Sequence, residues 1–304
     1  MDETSPSRFS KETIGLMYGF FGMFCFSLTL PATRVAVREL DPMIVGLGRS
    51  LVAAVLAISF LCAARAPLPS RSQFKSLYIT AAGIVLGFPV LSAWALHRVP
   101  ASHGAITLGL IPLGTAVVAR LRAGEQPSLR FWTVSSIGST TVVAFALVTG
   151  GGKVQLADLV LFAAVLAAAL GYAEGGRLAR ELGGVRVICW ALVSAAPIVA
   201  VPVIFAIARH GLAASPVSWL GFAYVSTFSA FFGFFLWYRG LALGGIARVS
   251  QIQLLQPFLT ILASGLLLGE RITTLTLCFA LAVVGCVAAT RTTTVAKPNL
   301  STQS

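Results

Sequence analysis

Pro100 to Glu125 reads PASHGAITLGLIPLGTAVVARLRAGE, and Gly245 to Glu270 reads GIARVSQIQLLQPFLTILASGLLLGE. These stretches are degenerate copies of one segment: Pro112 and Pro257, Gly124 and Gly269, and Glu125 and Glu270 are each 145 residues apart. Each copy is a long apolar run with one internal proline and a Gly-Glu stop. The repeating unit is therefore a membrane helix with its neighbours, and the chain is an internally duplicated membrane protein.

The composition agrees. Hydrophobic residues make up 57% of the 304-residue chain, charged residues 11%, and the mean hydropathy is +0.89. That is too apolar for a soluble domain to cover with polar surface. A hydrocarbon core about 30 Å thick takes roughly 20 helical residues to cross, and in lipid each segment must satisfy its own backbone amides.

Ten apolar runs meet this demand: Ile14 to Val37, Pro42 to Cys62, Leu77 to Leu96, Ser102 to Leu121, Phe131 to Val148, Leu156 to Gly176, Val187 to Ala208, Val217 to Trp237, Ile246 to Leu268 and Leu275 to Ala289. The expected fold class is an all-α membrane protein of ten transmembrane helices in two five-helix repeats. Residues 1–13 form a tail, 14–150 the first repeat, 151–291 the second and 292–304 a Thr- and Ser-rich tail that reads as unstructured. Thr149 to Lys153 (TGGGK) is a flexible linker, because it lacks the spacing of a phosphate-binding loop. An odd number of helices per half starts the second half from the opposite side, so the repeats are inverted.

The short connections leave no room for a soluble catalytic domain. The net charge of +12 comes from loop arginines, so it calls for no nucleic-acid partner. Alternate loops divide the Lys and Arg residues fifteen to six in favour of the side holding the amino terminus, with Arg49 left inside a helix. By the positive-inside rule both termini are cytoplasmic, and the expected location is a cell membrane, the inner membrane in a bacterium. The five cysteines stand singly in or at the ends of apolar helices, without metal-ligand spacing, and read as small hydrophobes. No cofactor or metal is implied.

The two copies, preceded by Ala95-Leu96 and Leu241-Ala242-Leu243 and closed by Gly-Glu, resemble the paired EamA domains of the drug/metabolite transporter superfamily. The second copy matches best, with Gln256-Pro257 near mid-helix and LLLGER at Leu266 to Arg271. Arg49 also stands where that family commonly has an arginine. The likeness runs from about Ile14 to Ala289. The sequence departs from it at Phe21-Gly22, where the family often shows Trp-Gly, and at Arg122-Ala123, where leucines are usual. The resemblance implies a secondary transporter, often an exporter of amino acids or other small metabolites, and leaves the substrate open.

Polar residues at membrane depth mark the expected pathway, since each costs several kcal/mol in lipid without a cavity or a partner. Gln253, Gln256, Thr260 and Ser264 recur at helical spacing on one face, and their repeat equivalents are Leu108, Ile111, Thr115 and Ala119. One wall of the cavity is thus expected to be polar and the other largely apolar; the competing reading makes the glutamines bonds between helices. Arg49 either holds a substrate carboxylate or pairs with an acid. Trp94 and Tyr224 are candidate gates. Glu174 and His103 are candidate proton carriers, although Glu174 reads equally as a partner of Arg177 or Arg180.

Pro112 and Pro257 are the candidate hinges, while Pro89, Pro197 and Pro202 read as static kinks. Glu125 and Glu270 fall on opposite faces, cannot share a site, and read as caps of the fifth and tenth helices. Gly-x-x-x-Gly at Gly83/Gly87, Gly171/Gly175 and Gly240/Gly244 signals close helix packing, assigned within the chain. A homodimer would add to a pathway already complete in one subunit.

The leading reading is a secondary transporter exporting an amino acid or amino-acid-derived compound, metal chelators included, by alternating access. Import of a vitamin or nucleobase-like solute is the alternative. A membrane-embedded enzyme or structural subunit is more remote, since no nucleophile or ligand cluster is present. If the topology is right, a fluorescent-protein fusion is bright and an alkaline-phosphatase fusion inactive at either terminus; opposite signals at the two ends would refute an even number of crossings.

Overall fold

The computed structural model describes residues 10–98, 107–150, 156–268, 273–291 and 295–296. Ten helices carry nearly all of them: α1 (Lys11–Ala36), α2 (Ile44–Ala63), α3 (Arg71–Ala95), α4 (Ile111–Ala123), α5 (Leu129–Gly150), α6 (Leu156–Leu182), α7 (Gly184–His210), α8 (Pro216–Gly244), α9 (Ile246–Leu267) and α10 (Thr274–Arg291). Counted over the described residues, seven of them, all but α4, α5 and α10, are long and apolar enough to cross a membrane by length and composition. Large apolar side chains such as Val55, Val201, Leu220 and Leu281 point outward and are exposed, as a surface bathed in hydrocarbon requires.

Local signals start and stop the helices. Ser10 accepts from the Thr13 amide at the head of α1, and Ser70 and Gln73 form a reciprocal capping box at the head of α3. Ser215 caps α8, with Pro216 in the first turn. Gly124 ends α4 with φ +66° and Gly183 ends α6 with φ +83°, conformations that favour glycine. Helix α6 continues past Gly176, where the apolar run stops. Glu174 and Arg177 pair at i, i+3 and Arg177 and Glu181 at i, i+4, and such pairs carry a helix beyond its apolar segment.

Packing follows the duplication. Helix α1 lies against α8, and its repeat counterpart α6 lies against α3; α2 packs on α7, α4 on α9 and α5 on α10. The first two contacts are backbone to backbone. A Cβ placed on Gly240 would lie 2.6 Å from the Gly19 nitrogen, and one on Gly83 2.8 Å from the Gly171 nitrogen. The Gly-x-x-x-Gly spacings are thus used between helices of one chain. The core between α1, α6, α7 and α8 contains Met23, Phe26, Tyr172, Leu192, Trp237 and Tyr238. A smaller cluster of Val142, Phe145, Leu254, Phe258, Ile261 and Val283 joins α5, α9 and α10.

The first and last described segments lie at one end of the bundle. Val295–Ala296, expected to be unstructured, pair antiparallel with Gln126–Pro127, and Arg248 at the head of α9 pairs with Glu12 at the head of α1. At the other end the Ser215 amide donates to Glu39 at 2.6 Å. Hydrogen bonds from the Ser215 hydroxyl, then from its amide and from Ser218, hold the Glu39 carboxyl below the ordinary carboxylate range. This tie between α8 and the loop after α1 is present at neutral pH and is lost as pH falls through the lowered value. The linker reading covers residues 149–153; helix α5 runs through Gly150, and 151–153 lie outside the described residues.

Gly240→Ala forces α1 and α8 apart, and overpacking of this kind costs about 1–3 kcal/mol. A thermal melt of the detergent-solubilised protein should show a lower midpoint for Gly240→Ala and an unchanged or slightly raised one for Gly285→Ala, whose added Cβ meets nothing within 4 Å. Equal melts would remove the close contact from the account of stability.

Candidate functional site

Proline chemistry sets the centre of the bundle. Pro31 has no N–H, so the carbonyl of Ser27 one turn earlier loses its helical donor, and α1 is interrupted at Leu28 between Lys11–Ser27 and Thr29–Ala36. The freed carbonyl accepts from the Thr260 hydroxyl at 2.8 Å, and the adjacent Phe26 carbonyl accepts from the Gln256 amide at 3.5 Å. Helix α9 is itself irregular, with a 3-10 stretch at Gln251–Leu255 just before Pro257. The repeat-related α4 begins after a turn at 109–110, just before Pro112. Interruptions therefore precede both candidate hinge prolines.

Three π-helical turns border the same region: Ile44–Gly48 directly before Arg49, Ala82–Gly87 in α3 and Val225–Phe232 in α8. The last two are repeat-related, since 82–87 shifted by 145 residues is 227–232. Such widened turns re-aim side chains and free backbone carbonyls.

These irregular segments enclose a central cavity. It is lined by Phe26, Thr29 and Leu30 of α1, Arg49 of α2, Ile84 and Phe88 of α3, Leu108 and Ile111 at the head of α4, Tyr172 of α6, Ser229 and Phe234 of α8, and Gln256 of α9. The space left between these side chains is about 20 Å³, enough for a single water. Thr29 and Ser229 hydrogen-bond each other at 2.8 Å. Tyr172 lies beside both Arg49 and Gln253. Phe26 stacks nearly parallel on Tyr172, with ring centroids 6.3 Å apart, and tilts against Phe234 at 4.8 Å. On the far side of the α1–α9 seam an apolar groove of about 250 Å³, lined by Phe24, Leu28, Leu259 and Leu266 among others, faces outward.

The sequence-marked residues divide accordingly. Arg49 and Gln256 line the cavity, Gln253 adjoins it through Tyr172, and Leu108 and Ile111 form the expected apolar counter-wall. Thr260 is spent on the Ser27 carbonyl, and the Ser264 hydroxyl is buried without a partner among the described residues. Trp94 is not among the lining residues; it packs against Leu161, with the Arg98 guanidinium 3.6 Å above its ring. Tyr224 is likewise outside, donating its hydroxyl to the Cys25 carbonyl at 3.0 Å. His103 and Glu270 lie outside the described residues.

Two readings of carboxylates change. Glu125 does not cap α5: its two oxygens accept from the Ile246 and Ala247 amides at 2.9 and 2.7 Å, and it pairs with Arg180. The left-handed turn at Gly124 directs it across to the exposed amides at the head of α9, where a negative charge also complements the helix dipole. Glu174, a candidate proton carrier, is away from the cavity. It is fully buried between Arg122 and Arg177, at 2.9 and 2.7 Å, and Arg177 also donates to Ser76. Together these pairs tie the ends of α4 and α6 to the heads of α3 and α9.

Residues 13–149 and 155–292 each match the EamA-like transporter family. The chain belongs to that family. An EamA relative from Bacillus subtilis (strain 168), described as the uncharacterized transporter YdeK, is 44% identical over 283 residues, spanning 93% of this chain and 98% of its own length. A solved crystal structure superposes on 93% of the chain and 99% of its own length with a TM-score of 0.74 at 16% identity, a likeness of fold. The EamA boundaries coincide with the duplication, and the protein is a multi-pass membrane transporter of two EamA repeats.

Tyr172, Thr29 and Ser229 escaped the sequence reading. Thr29 had a signal, a hydroxyl two residues before a proline within a membrane helix. Thr260→Val leaves the Ser27 carbonyl without a donor, a loss of about 1–3 kcal/mol for a buried unsatisfied group. Pro31→Ala restores the missing N–H, so the double variant should recover most of the lost thermal stability. Additive losses in a double-mutant cycle would show that the two residues are not coupled.

Proposed function

We propose that this protein is a secondary transporter that exports a small metabolite, an amino acid or amino-acid-derived compound, from the cytoplasm of a bacterium across its inner membrane, with both termini inside. The observation that carries the reading is the central cavity lined by both repeats, polar where Arg49, Gln256, Thr29 and Ser229 meet and apolar where Leu108, Ile111 and Phe88 face them. Pathway sites at a repeat interface built from interrupted helices are the pattern of alternating-access carriers.

Closure of one end supports the same reading. The ion pairs of Glu125 with Arg180 and of Glu174 with Arg122 and Arg177 gather the helix ends at the face holding both termini. Related repeats give two arrangements of similar energy, one closed at this face and one closed at the other. The cavity widens to admit solute when one set of contacts parts.

The test is untargeted mass spectrometry of culture medium from cells expressing wild type or Gln253→Leu/Gln256→Leu at equal membrane abundance. A compound enriched outside by the wild type alone is the expected result and names the substrate. Equal media for both would point to import, followed with an uptake panel, and would return the glutamines to the role of helix bonds.

A further inference from the structure

Arg49 lines the cavity with 6% of its surface exposed, and its Nε is buried without a hydrogen-bond partner among the described residues. An arginine stays cationic across the physiological pH range, and a lone charge at membrane depth is costly. The described acidic residues are engaged elsewhere. Glu12 pairs with Arg248, Glu125 with Arg180, and Glu174 and Glu181 with Arg177. Glu39 accepts from Ser215, Asp41 lies by His210, and Asp158 is not a lining residue. Nothing acidic among the described residues lines the cavity with Arg49.

The polar groups around the guanidinium are neutral. The Gln253 side chain is buried, and the Tyr172 hydroxyl lies beside it and beside Arg49. The hydroxyls and carbonyls nearby are already engaged, Thr29 and Ser229 with each other and the Phe26 and Ser27 carbonyls with Gln256 and Thr260, and all of them are neutral. Every acceptor around the guanidinium, Gln253 Oε1 included, is neutral and offsets no charge of an ammonium group. A carboxylate entering this site meets a cation and neutral polar groups, whereas an ammonium meets the same cation and no described acid.

We infer that the transported compounds carry a net negative charge: a carboxylate held by Arg49, an apolar body against the aromatic wall of Phe26, Phe88 and Phe234, and any amine acylated or absent. N-acyl amino acids and aromatic or branched oxo and hydroxy acids fit this description, and free zwitterionic amino acids do not. The inference rests on the transport reading and narrows it. Arg49 acts in it as a binding and selectivity residue, and loading with an anion removes the uncompensated charge.

The experiment is counterflow in proteoliposomes holding the purified full-length protein, with a charge series built on one body. N-acetylphenylalanine is the anion, phenylalanine the zwitterion, phenylalaninamide the cation and N-acetylphenylalaninamide the neutral member; the series is repeated on leucine. Any compound identified from the culture medium is included. The anion should exchange at least about 10-fold better than the other three members, the discrimination expected when a site's buried polar groups would otherwise go unpaired. Arg49→Gln should reduce the anion to the level of the neutral member while melting at or above the wild-type midpoint, because a buried lone cation does not stabilise. Arg49→Lys should keep the sign of the preference.

Exchange of the zwitterion or cation as fast as the anion overturns the inference and leaves transport standing, as does a large drop in the melting midpoint of Arg49→Gln, which would mark a structural ion pair. The wild-type charge series decides without any variant. Absence of exchange for every compound, the medium-derived one included, overturns the transport reading as well.

Discussion

A backbone carbonyl in hydrocarbon has no water to fall back on, and most of this architecture follows from that constraint. Where a proline removes a helical donor, a side chain from another helix supplies it. Pro31 frees the Ser27 carbonyl and Thr260 takes it up, so the break that weakens α1 also fastens α1 to α9. The interruptions before Pro112 and Pro257 and the π turns in α2, α3 and α8 concentrate unmet backbone and side-chain polarity in one layer. The layer that holds the cavity is thus also the layer in which the helices are least regular.

Glycine and charge do complementary work away from that layer. Along α1 and α8, and along α3 and α6, glycines bring backbones into contact that no side chain permits, which fixes the helix pairs as rigid units. At the face holding both termini, Glu125 spans from α4 to the head of α9 while Glu174 gathers Arg122 and Arg177. Packing by glycine offers little to rearrange. Ion pairs and a helix cap can exchange their partners for water, so the exchangeable contacts sit at the ends and the close-packed ones along the shafts.

Much of the fold was legible because lipid enforces it locally. Run length gave the helices and their odd number per half, and the duplication gave the pairing of Pro112 with Pro257. The boundaries went astray where charge took over from hydropathy, as in α6, which continues six residues beyond Gly176 to Leu182 on its own ion pairs. The stripe on α9 was readable as a face, since Gln253, Gln256 and Thr260 do turn toward α1 and α6. Its partners were not readable, because they are carbonyls and a tyrosine brought together from segments up to 233 residues away.

The sequence by itself determined the class of protein, the two EamA repeats and the helices that carry them, because hydropathy and periodicity are properties of single segments. The tertiary structure alone decided what each polar residue is for. It placed Arg49 beside Tyr172 and apart from the described acids, sent Glu125 to α9 instead of α5, enclosed Glu174 between two arginines, and left Trp94 and Tyr224 outside the cavity lining. Pairing of charges and donors depends on distance in space, and no spacing along the chain encodes which helices become neighbours.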